Sequence, residues 1–175
     1  MKILEQIFDN VLVLEPSTNT DCRGRMMVGF HEDELKELQI DFRLKEQRVY
    51  SMSETGTFFG IHYQDASHPQ AKLVSVIQGK GLDYIVDLRQ SSATYKQWKS
   101  IELTAEIPRI IYIPEGYGHA FLSMKDNTIQ MFAIDEYFIE GSTKQINYKD
   151  PGIGFKLPME HVILSDYDKN APFLA

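Results

Sequence analysis

Short runs of apolar and β-branched residues recur along the chain and are separated by turn residues. They lie at residues 11–14, 71–77, 82–88, 110–113 and 128–134. Each run has the length of a β-strand and is too short for an independent helix. The pattern therefore predicts a protein built mainly from short strands.

Turn signals punctuate these runs. Gln-Gly-Lys-Gly at 78–81 predicts a tight hairpin between two of the strands, because glycine accepts positive φ. Pro-Glu-Gly at 114–116 predicts the end of another strand. One short helix is expected at 31–38, which has acidic residues in its first turn, and a second near the C-terminus. Many short strands with little helix predict a sandwich or a barrel.

The strand at 82–88 alternates between two kinds of face. Leu82, Tyr84 and Val86 point to one side, whereas Asp83 and Asp87 point to the other. The alternation favours a strand that exposes its acidic face to solvent. The alternative is a barrel whose interior holds a polar ligand cavity.

Composition limits the class of protein. The 175 residues suit one domain, 1–175, and the net charge of −7 argues against nucleic-acid binding, although a local basic pocket remains possible. The single cysteine, Cys22, allows no internal disulfide. No apolar run approaches the roughly 20 residues needed to span a bilayer, and acidic residues interrupt the apolar N-terminus. A cytoplasmic protein without a membrane partner is expected.

Two of the five histidines, His62 and His119, lie in sequence surroundings that are compatible with a role in a functional site. His62 follows Phe-Phe-Gly-Ile, and the nearby glycine suggests a close approach to the backbone. His119 follows a Pro-x-Gly-x-x turn, which is similar to half of the metal-binding motif of cupin barrels. Only two plausible ligands can be assembled, so no metal site is expected. A structural role for either histidine stays open, and no nucleotide-binding glycine motif or Gly-x-Ser-x-Gly is present.

An ordered set of segments resembles the dTDP-4-dehydrorhamnose 3,5-epimerase family. The set runs from Asp-Cys-Arg-Gly at 21–24 to Ala-Pro at 171–172. Between them lie Gly-Ile-His-Tyr-Gln at 60–64, Gln-Ala-Lys-Leu-Val at 70–74, Asp-Tyr-Ile-Val-Asp-Leu-Arg at 83–89, Ser-Ala-Thr-Tyr-Lys-Gln-Trp at 92–98 and Tyr-Ile-Pro-Glu-Gly-Tyr-Gly-His-Ala-Phe at 112–121.

The resemblance implies a double-stranded β-helix, that is, a cupin-like jelly-roll barrel. It also implies a homodimer with strands and an arginine crossing between subunits, and neither a metal nor another cofactor. The implied substrate is a nucleotide-linked 4-keto-6-deoxysugar, by default dTDP-linked. The implied pathway is dTDP-rhamnose and polysaccharide biosynthesis.

The resemblance also assigns residues to the reaction, in which a proton beside the ketone is removed and returned. His62 would be the base, Asp168 would orient it, and Lys72 would stabilise the enolate oxygen. Arg23 would contact the diphosphate, in the site of its own or of the neighbouring subunit. Four further positions match residues that line the substrate pocket: Gln47, Asp83, His119 and Tyr137.

Departures from the family pattern concern the acid and the diphosphate contacts. Phe132 occupies the position of the tyrosine that acts as acid opposite the histidine, and Phe59 that of an arginine that contacts the diphosphate. A glutamate and an asparagine of the pattern are also replaced, by Val28 and Val49.

These departures leave several alternatives open. One is a single-centre epimerase, and another is a keto-sugar isomerase. Others are a substitute acid at Tyr63, Tyr117 or Tyr137, a decayed barrel that only binds the sugar nucleotide, and a metal-dependent cupin.

Overall fold

The computed structural model describes residues 1–174, in which two antiparallel sheets pack face to face. The strands are β1 (Lys2–Ile7), β2 (Val11–Glu15), β3 (Thr18–Asp21), β4 (Gly24–Met27), β5 (Glu46–Met52), β6 (Phe58–Gln64), β7 (Lys72–Gln78), β8 (Lys80–Asp87), β9 (Trp98–Thr104), β10 (Ile110–Ile113), β11 (Tyr117–Ser123), β12 (Thr128–Ile134) and β13 (Thr143–Ile146). The helices are α1 (Glu32–Glu37) and α2 (Asp166–Lys169).

The strand order is that of a jelly-roll barrel. One sheet has six strands in the order β1-β2-β10-β7-β12-β5, and the other has five in the order β13-β6-β11-β8-β9. From β5 onward the chain changes sheet at every connection except that between β8 and β9. The ribbon β3-β4 belongs to neither sheet. The predicted fold class is confirmed.

The predicted strands and both predicted helices are present, but the predicted hairpin at 78–81 is wrong. Gly79 connects β7 to β8, which lie in different sheets, so it forms a corner between the sheets. Its φ is +77°, and a Cβ there would lie 2.5 Å from Thr128 Oγ1. Glycine is therefore needed here both for its positive φ and for its small size. The positive φ is the property on which the hairpin prediction relied, but it serves a corner between the sheets instead.

The acidic face of β8 points into the barrel, so the favoured prediction of a solvent-exposed face is wrong. Asp83 and Asp87 are fully buried. The opposite face, with Leu82, Tyr84 and Val86, packs beneath the C-terminal segment. The ring centroids of Tyr84 and Phe155, for example, lie 4.7 Å apart. A covering segment distant in sequence makes β8 buried on both sides.

Asp87 is held by a local network. Arg89, Ser92 and Thr94 all donate side-chain hydrogen bonds to its carboxylate. Burial alone would raise the pKa of Asp87, but these hydrogen bonds outweigh it and hold the pKa well below its usual range. Arg89 also stacks over the Tyr117 ring, 4.5 Å from its centroid. The network fixes the loop between β8 and β9.

Two further apolar clusters lie on the outer face of the six-stranded sheet and between the two sheets. Helix α1 buries Leu35 against the outer face of the six-stranded sheet, together with Phe42 and Leu73. Between the sheets, a third cluster includes Val74, Ile85 and Phe121. Within residues 1–174, neither helix has the length or apolarity required to cross a bilayer.

Candidate active site

A cavity opens between the two sheets and has a different chemistry on each wall. The five-stranded sheet contributes His62, Gln64, His119 and Thr143, and the six-stranded sheet contributes Arg48, Lys72, Phe132 and Ile134. Phe59 and Tyr63, also from the five-stranded sheet, complete the lining together with Gln70 and Phe138. One wall therefore carries histidines, and the facing wall carries two cations and two apolar side chains.

A β-bulge in β6 orients His62. His119 pairs with His62 but Phe121 pairs with Phe59, so β6 has one residue more than β11 over this stretch. The extra residue places Phe59 and His62 on the same face although they are three positions apart. Their rings stack, with centroids 4.4 Å apart. Phe59 thereby fixes the plane of the imidazole.

Gly60, within this bulge, makes room for Asp168. A Cβ at position 60 would lie only 2.4 Å from Asp168 Oδ1. Asp168 belongs to α2, whose N-cap residue Ser165 donates from Oγ to Asp168 Oδ2 over 2.7 Å. The same Oγ accepts a bond from the Asp168 backbone N–H. The short helix thus delivers a buried carboxylate against the strand that carries the histidine.

His62 and Asp168 are linked through a third residue. His62 Nε2 lies 3.4 Å from Asp168 Oδ1, which is long for a direct hydrogen bond. Gln145 Nε2 contacts His62 Nε2 and lies 3.4 Å from the same Asp168 oxygen. Gln145 pairs with His62 across β13 and β6. Gln145 was not predicted as a site residue, because its strand β13 (Thr143–Ile146) lacks an apolar run.

The surroundings set the protonation of His62 and Lys72. Burial and the positive charge of Lys72 lower the pKa of His62 to about 3, so the imidazole is neutral near pH 7. Its Nδ1 is buried and has no hydrogen-bond partner within residues 1–174. Burial lowers the pKa of Lys72 to about 8, although nearby Asp83 opposes the shift. Near neutral pH the cavity holds a neutral histidine facing a charged lysine.

His119 and Asp83 form a buried pair behind this arrangement. His119 Nε2 lies 2.8 Å from Asp83 Oδ2, and Gln130 Nε2 lies 3.4 Å from the same oxygen. Asp83 Oδ1 and Gln130 Oε1 have no partner within the described part of the chain. His119 lines the cavity, whereas Asp83 lies behind it.

Three predicted site residues lie away from the cavity of this protomer. Arg23 is on the β3-β4 ribbon, where its exposed side chain pairs with Asp21 at 2.6 Å. Gln47 is exposed on the outer face of β5 and contacts Met131 Sδ. Tyr137 follows β12 and is 54% exposed. Only its backbone approaches the cavity lining, because its carbonyl oxygen accepts a bond from Gln64.

Arg48 lines the cavity and was not predicted. It pairs with Phe132 across β5 and β12, its Nε donates to Glu46 over 2.7 Å, and its guanidinium lies 5.4 Å from the Phe138 ring centroid. Strand alternation from Phe132 places Arg48 inward and Gln47 outward. Within residues 1–174, no three His, Cys, Asp or Glu side chains cluster as a metal site would require.

Comparison with known proteins gives a consistent family. The family described as dTDP-4-dehydrorhamnose 3,5-epimerase matches residues 5–175. The protein of that name from Methanothermobacter thermautotrophicus is 36% identical over 172 residues, which cover 97% of this chain and 92% of the relative.

Two solved structures are similar over nearly the whole chain. The Bacillus anthracis dTDP-4-dehydrorhamnose 3,5-epimerase with TDP and PPi bound has a TM-score of 0.96, is 33% identical and covers 99% of both chains. The second is a 3'-monoepimerase from Streptomyces bikiniensis in complex with dTDP. It is a double mutant with asparagine for a histidine and phenylalanine for a tyrosine, and has a TM-score of 0.88 at 31% identity. The similarity covers 97% of this chain and 85% of that one.

Proposed function

Because the chain belongs to the dTDP-4-dehydrorhamnose 3,5-epimerase family, we propose that it is an isomerase that epimerises a dTDP-linked 4-keto-6-deoxysugar. The observation that carries the proposal is the neutral, largely buried His62 on one wall of a cavity whose opposite wall presents Lys72. Reaction with a nucleotide sugar would use no cofactor, because the ketone itself acidifies the neighbouring C–H bonds.

The reaction requires three functions that these residues can supply. His62 takes the proton from the carbon beside the ketone, Gln145 contacts the neutral ring, and the Asp168 carboxylate stabilises the imidazolium that forms. The ammonium of Lys72 stabilises the negative charge that develops on the ketone oxygen, and the burial of Lys72 strengthens that interaction by lowering the local dielectric constant. His119, held by Asp83, contributes a further hydrogen-bonding group to the wall.

Phe132 raises the question of which carbon is epimerised. In the Streptomyces bikiniensis double mutant, the replaced histidine and tyrosine are separated by as many residues as His62 and Phe132. This spacing supports the assignment of Phe132 to the tyrosine's position. The present chain thus has, as its own residue, the phenylalanine that was introduced at the corresponding position of the Streptomyces bikiniensis protein by mutation. A single-centre epimerase is compatible with this substitution.

Incubation with dTDP-4-keto-6-deoxyglucose in heavy water tests the proposed function. We expect NMR to show deuterium entering the sugar together with formation of an epimer. Exchange at C3 alone identifies a single-centre enzyme, and exchange at both C3 and C5 a 3,5-epimerase. A protein that binds dTDP but catalyses no exchange would instead be a binding-only barrel, and the proposal would be wrong.

We infer that Arg48 binds the diphosphate of the substrate in place of the arginine that Phe59 replaces. Arg48 and Lys72 are the two cations of the cavity lining, and both lie on the wall opposite His62. Arg48 is only partly buried, so its guanidinium can meet a ligand at the cavity mouth. The planar guanidinium suits two neighbouring phosphate oxygens.

The Arg48→Ala variant is expected to bind dTDP about 10- to 100-fold more weakly, because a charge-assisted hydrogen bond contributes about 1.5–3 kcal/mol. Affinity for thymidine, which has no phosphate, is expected to stay unchanged. Isothermal titration calorimetry measures both. The matched control is Arg43→Ala, because Arg43 is exposed and makes only a 3.9 Å contact with Asp41. Unchanged dTDP affinity in Arg48→Ala would remove this assignment.

A homodimer would explain the remote position of Arg23. The β3-β4 ribbon carries Arg23, whose side chain is 87% exposed and does not line the cavity of its own protomer. In the proposed dimer, Arg23 reaches the diphosphate at the partner's cavity. Analytical ultracentrifugation that finds only monomers at assay concentration would contradict this arrangement. The cytoplasmic location stays a prediction, and cell fractionation would test it.

A further inference from the structure

Epimerisation with inversion needs a proton on the face of the sugar opposite the base. The base, His62, lies on the five-stranded sheet. Phe132 lies on the facing six-stranded sheet and has no proton to donate. A proton donor must therefore be found elsewhere on that wall if inversion occurs at all.

The three tyrosines that could replace the missing acid are poorly placed. Tyr117 is buried and its hydroxyl donates to Asn10 over 2.8 Å, outside the cavity lining. Tyr137 is exposed, and its ring lies 5.9 Å from the Lys45 ammonium. Tyr63 borders the cavity, but it is on the same strand as the base, and its ring packs with the cluster outside the barrel.

Lys72 meets the positional requirement. Lys72 pairs with Ile134 and Val74 pairs with Phe132, so Lys72 lies diagonally across from Phe132 on the inner face of the same sheet. Of the side chains that this sheet contributes to the cavity lining, only Arg48 and Lys72 carry ionisable protons. A guanidinium does not give up its proton near neutral pH. Lys72 is left as the donor.

We propose that Lys72 is the general acid of this chain and delivers a proton to the substrate carbon on the face opposite His62. The inference rests on the proposed function and deepens it. The electron pair of the broken C–H bond passes into the enolate. It then forms the new C–H bond with a proton from the Lys72 ammonium. The product leaves with inverted configuration, His62 becomes an imidazolium and Lys72 becomes a neutral amine.

The surroundings of Lys72 support this role. Its pKa is lowered to about 8 by burial, so the ammonium is charged at neutral pH and still releases its proton more readily than an exposed lysine. Solvent must return the proton from His62 to Lys72 to complete the cycle. The cavity lined by His62, Lys72 and His119 is partly open to solvent, which permits this return.

The Lys72→Arg variant separates proton donation from charge stabilisation. Arginine retains the positive charge but cannot donate its proton, so we expect hydrogen exchange at the epimerised carbon to continue with retention of configuration. Formation of the epimer is expected to fall about 10²-fold or more relative to exchange, the typical contribution of a general acid. Both are measured by NMR in heavy water with dTDP-4-keto-6-deoxyglucose. The same two rates measured on the wild-type chain test the proposed function itself.

A restored tyrosine gives a second test. We expect Phe132→Tyr in the Lys72→Arg background to recover epimer formation, because it places a phenol on the same wall. Tyr63→Phe is expected to keep the wild-type ratio of epimer to exchange. Equal loss of exchange and epimer in Lys72→Arg would overturn the inference, as would a lowered ratio in Tyr63→Phe. Failure of the wild-type chain to catalyse exchange would reject the proposed function and this role together.

Discussion

The His62→Ala variant is expected to lose both hydrogen exchange and epimerisation, by about 10² to 10⁴-fold as is typical for the loss of a general base. No other group on the same wall is equivalent, since His119 is already committed to Asp83 at 2.8 Å. Removal of the imidazole also leaves Gln145 and Asp168 without their partner. Rates of deuterium incorporation into the sugar measure the effect.

The dTDP affinity of His62→Ala distinguishes a missing base from a damaged fold, because the nucleotide should still bind. His161→Ala is the matched control, since His161 is exposed and lies outside the cavity lining. Exchange at the wild-type rate in His62→Ala would show that another residue removes the proton, and the proposed mechanism would be wrong.

The Gly60→Ala variant is expected to lower epimerase activity by about 10²-fold, the lower range for losing a positioned proton-transfer partner, although it adds only a methyl group. The new Cβ would lie 2.4 Å from Asp168 Oδ1 and 3.0 Å from Asp168 Cγ, so the carboxylate must shift from the position in which it faces His62. Overpacking of this kind typically costs about 1–3 kcal/mol of stability. Steady-state kinetics and urea denaturation measure the two effects.

Two further variants identify the origin of the Gly60→Ala effect. Gly141→Ala is the matched control, because no atom lies within 4 Å of a Cβ at that position and its φ is not positive. In the Asp168→Ala background the clashing oxygen is absent, so Gly60→Ala is expected to cost less stability and to lower activity no further. Fully additive effects would show that Gly60 acts independently of Asp168.

The sequence predicted the strands better than it predicted what covers them. The apolar runs marked β2, β7, β8, β10 and β12, since each strand carries its own β-branched residues. The direction of Asp83 could not be read in the same way. Its burial depends on Phe155 and neighbouring residues that pack on the opposite face of β8 from far along the chain.

The site was predicted through the family resemblance, and the differences between that prediction and the cavity lining have local causes. His62, Lys72 and His119 do line one cavity. The resemblance indicated Gln47 as a pocket residue, but its neighbour Arg48 lines the cavity. Adjacent residues of a strand point to opposite faces, so a difference of one position moves a side chain from the pocket to the outer face. The contact of Phe59 with His62 depends on a bulge, which the alternation of residues alone does not indicate.

Because the chain passes repeatedly between the two sheets, the active site can form only late in folding. The proposed base, acid and orienting carboxylate come from β6, β7 and α2; β6 pairs with β11 and β13, and β7 pairs with β10 and β12. Such non-local pairings close large loops, and folds that depend on them typically form in milliseconds to seconds. No early, locally folded fragment can hold a complete catalytic set. Recovery of turnover after dilution from denaturant is therefore expected to lag behind the formation of local structure.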